Sequence, residues 1–181
     1  ISSDIDEING RTGSFVCVDS ENKGFIKVSE ANPYTFEYTD GTPWLWKGDT
    51  SWRGMLDVIP FQSRWKTILH RRKEQGYNAI QSILVSYING DKFWRNEGGH
   101  VFELGYEEKF YNKLNPMYFR WVDRRIEYAN SIGFVPVLFF SWAQEYEKFT
   151  YNEWRRYQDY VISRYAAYNV IWILSGEYNE V

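Results

Sequence analysis

The sequence predicts an α/β fold, the N-terminal half of a (β/α)8 barrel preceded by a short all-β segment. Three observations predict it. From Trp44 onward, strand-like and helix-like segments alternate, which implies a parallel sheet with right-handed crossovers. No Gly-rich phosphate loop follows any of the strands, so the doubly wound nucleotide-binding alternative is disfavoured. And each strand ends in polar and aromatic residues, where a barrel places its chemistry.

The elements follow in order. Residues 1–33 read as the end of a preceding β-domain or a linker, and residues 34–181 as the half barrel. Within the first part, residues 15–18 (Phe-Val-Cys-Val) and 25–28 (Phe-Ile-Lys-Val) read as paired strands around the turn Asn22-Lys23-Gly24. Tyr34, Phe36 and Tyr38 alternate with polar residues, a half-buried strand, and Asp40-Gly41 is a hairpin signal. Residues 44–48 then form the first barrel strand.

Pro60 opens a helix whose stripe is Phe61, Trp65, Ile68 and Leu69, stopped at Gly76. Residues 79–85 are an apolar strand. The loop 86–115 is long enough to be functional. Asn115-Pro116 is an N-cap and first-turn pair for a helix with Phe119, Val122, Ile126 and Ala129 inward, ending at Gly133. Residues 134–140 form the third strand, with Pro136 tolerated near its start. Thr150 and Glu153 form a capping box for a helix with Trp154, Tyr157, Val161 and Tyr165 inward. Residues 170–174 are the fourth strand, an apolar run suited to burial on both faces.

Composition narrows the function. The 181 residues carry a net charge of −3, which argues against a nucleic-acid partner. No apolar run approaches a membrane-spanning length. The chain has no initiating Met and no signal peptide, as expected of a mature or excerpted chain. Cys17 is the only cysteine, which rules out an internal disulfide and a cysteine-based zinc cluster. His70 and His100 show no ligand spacing, so no metal or other cofactor is expected and a metal-dependent barrel hydrolase is disfavoured. Aromatics make up 20% of the chain, and Trp and Tyr faces stack on the C–H faces of sugar rings.

The strand ends supply the candidates. After the first strand come Asp49, Thr50 and Trp52; after the second, Ser86, Tyr87 and Asn89. After the third come Ser141, Trp142 and Gln144; after the fourth, Glu177 and Asn179. Such groups describe a sugar-binding mouth, with Asp49, Trp52, Tyr87, Trp142 and Asn179 toward substrate and Glu177 as the catalytic acid. Each has a plainer reading: Asp49 caps a turn, Trp52 and Trp142 pack, and Gln81 is a satisfied interior amide. His70, Arg124-Arg125 and Arg155-Arg156 read as solvated helix faces; His100, in the long loop after two glycines, could reach the substrate, but a plain loop residue is the favoured reading.

Gly41-Thr42-Pro43 leading to Gly48-Asp49-Thr50-Ser51-Trp52, then residues 71–81, then Trp172-Ile173-Leu174-Ser175-Gly176-Glu177, resemble the apiosidase-like family of glycoside hydrolases. The resemblance runs from about Pro33 to Val181 and places the chain in the clan of retaining (β/α)8 glycosidases. It implies that Glu177 stands at the acid/base position, usually Asp after two glycines in the family and Glu after Asn in the wider clan. Here the preceding pair is Ser175-Gly176. It puts Asp49, Thr50 and Trp52 on the family's Gly-Asp-Thr-x-Trp motif, lining the sugar subsite. Glu180, in a literal Asn-Glu pair, stands about three residues too late and ranks behind Glu177. The clan's nucleophile follows the seventh strand, beyond residue 181. The segment alone is then expected to be inactive, its open edges covered by the missing C-terminal half or a second copy. The resemblance also implies a plant or microbial polysaccharide substrate and a secreted or periplasmic location. The competing expectation is a carbohydrate-binding barrel without catalysis.

Overall fold

The computed structural model describes residues 6, 9–19, 21–56, 59–85, 95–102, 113–142, 149–177 and 179. A three-stranded antiparallel sheet comes first, β1 (Ile26–Val28), β2 (Phe36–Tyr38) and β3 (Pro43–Trp44), in that spatial order. A four-stranded parallel sheet follows in the order β4 (Gly48–Thr50), β5 (Ala79–Ile83), β8 (Val135–Trp142), β9 (Ile171–Gly176). Its crossovers contain α1 (Lys66–Glu74), α2 (Pro116–Ser131) and α3 (Tyr151–Tyr165). A small hairpin, β6 (Arg95–Asn96) and β7 (Gly99–His100), lies between β5 and α2. The result is a parallel α/β fold of the partial TIM-barrel kind.

Two strand expectations need correction. Residues 15–18 form no strand, and Phe15, Val16 and Val18 are largely exposed. Ile26–Val28 pairs with Phe36–Tyr38 instead, and hydrogen bonds between Gly24 or Ile26 and the Asn169 side chain occupy its approach. Residues 44–48 are not one strand either. Trp44 pairs antiparallel with Phe36, the chain then turns, and the first parallel strand begins only at Gly48. Both sheets needed one end of that segment, so it divides.

The parallel sheet has two faces with different partners. Ile80, Leu84, Leu138, Phe140 and Trp172 turn toward the helices and join the larger core. Ala79, Ile83, Val135, Val137 and Phe139 turn the other way and pack on Trp44. This is the alternation of a strand with both faces covered. Pro136 fits because Val135 donates to the Asn78 carbonyl on the β5 side. Alternation turns the Pro136 nitrogen to the other side, where β9 begins pairing only opposite Val137.

Much of the aromatic content is spent in this core. Trp65, Tyr118, Tyr157 and Tyr165 are fully buried. The three tyrosines use their hydroxyls as pins, donating to the carbonyls of Leu84 (2.6 Å), Phe140 (2.9 Å) and Phe119 (3.2 Å). Burying a phenol hydroxyl without such a partner would leave its desolvation cost uncompensated and offset much of what the ring gains by burial. A high aromatic share is therefore mostly a packing fact here.

Arg125 is a further correction. It is fully buried rather than solvated. Its guanidinium donates to the carbonyls of Gly54 (2.9 Å), Trp121 (3.1 Å) and Ile59 (3.1 Å), and to both Glu97 oxygens (2.9 and 2.8 Å). Glu97 in turn accepts the Phe61 N–H at 2.8 Å. That N–H opens a π-helical turn, Phe61–Trp65, that leads into α1. One cation on α2 thus ties together the loop after β4 and the β6–β7 hairpin. His70 is exposed on its helix, as read from the sequence, and there meets the Tyr128 hydroxyl on α2.

Candidate active site

Parallel strands bring four C-terminal ends to one edge of the sheet. Glu177 immediately follows β9 there, with its backbone at φ 55. A side-chain-bearing residue in this left-handed region costs about 1–2 kcal/mol, so the surroundings must hold it. The Trp142 indole N–H donates to Glu177 Oε2 at 2.7 Å. Trp142 and Gly176 are register partners on neighbouring strands.

Trp142 also belongs to an aromatic wall. Its ring meets Trp52 edge-on at 4.9 Å, and Trp52 meets Phe139 at 5.1 Å. Trp142 and Phe139 lie 5.8 Å apart. Trp52 keeps 39% of its surface exposed, so this wall is presented and not sealed. Ile83 N–H donates to the Trp52 carbonyl at 3.0 Å, fixing the β4 loop to the next strand. Phe139 was not anticipated as part of a site, although its place among the alternating residues 135, 137 and 139 marks it as facing away from the helices.

Asp49 sits differently from Trp52. Its carboxylate pairs with Arg72 of α1, on the helix side of β4. Burial pushes the Asp49 carboxyl up, but the Arg72 hydrogen bond and the Thr50 backbone N–H outweigh it and hold the group below the usual carboxylate range. A depressed folded pKa contributes stability above the unfolded value and loses it as pH falls through the folded one. Asp49→Asn should therefore cost about 0.2–1 kcal/mol at pH 7, since the pair is partly exposed, and less at an acid pH where the Asp49 carboxylate of the parent begins to protonate. Urea unfolding at the two pH values checks this. On the opposite face, Gln81 Nε2 donates to Thr50 Oγ1 at 2.9 Å, so that pair, and not Asp49, faces away from the helices beneath the wall.

Asn179 is exposed just beyond Glu177. Tyr87, Gln144, Tyr178 and Glu180 lie outside the described residues. His100 is exposed in the β6–β7 hairpin. A cavity of about 380 Å³ lies at the other edge of the sheet, between Lys23, Gly24, Tyr38, Gly133 and Asn169. It is remote from the strand ends, and no strand-end carboxylate lines it. Among the described residues there is no group of three His, Cys, Asp or Glu able to hold a metal. No helix among the described residues is long and apolar enough to cross a membrane.

A family model described as "Apiosidase-like, catalytic domain" matches residues 30–181. The chain belongs to this family. A search of curated proteins finds no match. Among solved structures, the Apiosidase-like chain is similar to a glycoside hydrolase at 21% identity and TM-score 0.64, covering 86% of this chain and 34% of that one. It is similar to a glycoside hydrolase family 5 structure from Bacteroides vulgatus ATCC 8482 at 22% identity and TM-score 0.63, covering 86% and 33%. A third, from the same organism and provisionally titled a glycoside hydrolase, gives 22% identity and TM-score 0.73, covering 98% and 37%. At such identities the likeness is one of fold. The Apiosidase-like chain spans about a third of the length of these structures.

Proposed function

We propose that this Apiosidase-like chain is the first half of a (β/α)8 glycoside hydrolase barrel that cleaves a plant or microbial polysaccharide by a retaining, two-carboxylate reaction. One observation carries the reading: a carboxylate at the end of the last parallel strand, hydrogen-bonded by Trp142 and set beside the Trp52–Phe139–Trp142 wall. The wall stacks a sugar ring, and Glu177 reaches the glycosidic oxygen. Residues beyond 181 supply the remaining strands and the nucleophile. The exposed Leu174 on β9 supports this, since it lies on the helix-facing side where a fourth crossover helix would pack.

In this mechanism Glu177 starts as the carboxylic acid. The nucleophilic carboxylate attacks the anomeric carbon while Glu177 gives its proton to the departing oxygen. The glycosyl-enzyme ester is then opened by water, whose proton returns to Glu177. The sugar leaves with its anomeric configuration retained, and both carboxyl groups regain their starting states. Two carboxylates about 5 Å apart are required for this outcome. Asp49, Asn179 and Tyr87 contribute around the subsite, Asp49 by orienting the β4 end through Arg72. A secreted or periplasmic location fits access to a polysaccharide.

The test uses the full-length protein against a panel of plant and microbial polysaccharides, with released sugars resolved by chromatography. Release from at least one glycan is expected. Saturable glycan binding by calorimetry with no release would instead establish a non-catalytic carbohydrate-binding barrel.

A further inference from the structure

The residue before Glu177 is explained by the residue beside it. A Cβ on Gly176 would fall 2.6, 2.7 and 2.8 Å from three carbons of the Trp142 six-membered ring. Real Cβ atoms do not approach so closely, so the ring lies against bare backbone. Trp52, edge-on at 4.9 Å, and Phe139, at 5.8 Å, buttress the same indole. Its N–H then reaches Glu177 Oε2 at 2.7 Å, on a residue held at φ 55.

We propose that Trp142 is a positioning residue for Glu177, and that Gly176 exists to seat it. This rests on the acid/base role proposed for Glu177. An indole N–H only donates, never titrates near neutral pH, and points in the plane of a rigid ring. Directed at Oε2, it leaves Oε1 as the oxygen that carries the exchangeable proton. It also fixes the carboxyl plane relative to a glycosidic bond lying on the wall. Three features otherwise unrelated in sequence, Trp142, Gly176 and the left-handed Glu177, become one unit. Sugar stacking on Trp142 would not require the glycine, nor the indole nitrogen to face a carboxylate.

The experiment compares Trp142→Phe with Glu177→Gln in the full-length protein. Phe keeps an aromatic ring over Gly176 and drops the N–H. Substrates are the phenyl and 2,4-dinitrophenyl glycosides of the sugar released in the polysaccharide screen. A departing phenoxide needs the proton, and a dinitrophenoxide does not. Because small misplacements of a catalytic group cost on the order of 10²-fold, Trp142→Phe should lose ~10–100-fold in kcat on the phenyl glycoside. It should lose little on the dinitrophenyl glycoside, with KM nearly unchanged on both. Gly176→Ala should show the same dependence on the leaving group.

A second readout needs no turnover. The Trp142 indole ¹⁵N–H resonance, assigned by its loss in Trp142→Phe, should shift in Glu177→Gln. Equal losses on both substrates, or a raised KM alone, would mean that Trp142 only stacks sugar and would overturn the proposal. So would an indole resonance unmoved by Glu177→Gln. If Glu177→Gln itself shows no dependence on the leaving group, the acid/base reading fails first and this proposal falls with it.

Discussion

Glu177→Gln should reduce kcat on a phenyl glycoside by about 10²–10⁴-fold, the range expected for a lost general acid. Gln keeps the size of the side chain and can still accept from the Trp142 N–H, so the wall and the backbone at φ 55 should persist. What is lost is the proton for the leaving oxygen. The fall should shrink steeply for a dinitrophenyl glycoside, whose leaving group departs unprotonated. Steady-state kinetics on the two substrates, with a melting curve to confirm folding, check it. Unchanged turnover of the phenyl glycoside would remove Glu177 from the chemistry.

The largest stability effect should come from Arg125→Met, about 3–5 kcal/mol, because breaking a buried ion pair leaves its partner uncompensated. Arg125 is fully buried, whereas the Glu97 side chain is a quarter exposed. Met fills much of the volume but donates nothing. The Gly54 and Ile59 carbonyls lose this donor, and the Glu97 carboxylate loses its cation while keeping the Phe61 N–H. Urea unfolding of the full-length protein measures the loss. Arg155, paired with Asp159 at 3.8 Å on the exposed face of α3, is the control, where the same substitution should cost under about 1 kcal/mol. The effect should extend to the site, because Gly54 and Ile59 follow Trp52 in the same segment between β4 and α1. A loss at Arg125 no larger than at Arg155 would mean that the network is solvated in solution.

The fate of Arg125 shows where sequence patterning stops. It lies one residue from Arg124 on an amphipathic helix, and nothing local separates the two. Only the tertiary arrangement, with Glu97 nearly thirty positions upstream folding over it, creates a buried socket for one of them. Phe15 to Val18 failed for the opposite reason. Their β propensity is real, but a strand forms only against a partner, and Ile26–Val28 pairs with Phe36–Tyr38. The elements read correctly were those with redundant local signals. Asn115 does cap α2, accepting from Met117 N–H at 2.9 Å, and Thr150 with Glu153 does form a capping box.

The site was legible in the same uneven way. That Glu177, Trp142 and Trp52 would share one sheet edge followed from parallel strands, because every strand then ends on the same side. That Trp142 would bond Glu177 did not follow, since it depends on the register Trp142 opposite Gly176 and on the space a glycine leaves. The Gly176 signal was present in the chain as a glycine just before a carboxylate. Its meaning needed the neighbouring strand. Asp49 shows the limit of a motif: its position at the strand end is right, but strand alternation turns its carboxylate to Arg72 on the helix side.

Azide rescue of Glu177→Ala tests the central claim most directly. In a retaining enzyme without its acid/base, a dinitrophenyl glycoside still loads the nucleophile, and the glycosyl-enzyme then waits for a base-activated water that no longer forms. Azide needs no base. It should restore turnover and yield a glycosyl azide with the configuration of the starting glycoside, identified by NMR. A variant that hydrolyses without azide at the parent rate, or that azide leaves unrescued, would contradict Glu177 as the acid/base of a retaining glycoside hydrolase.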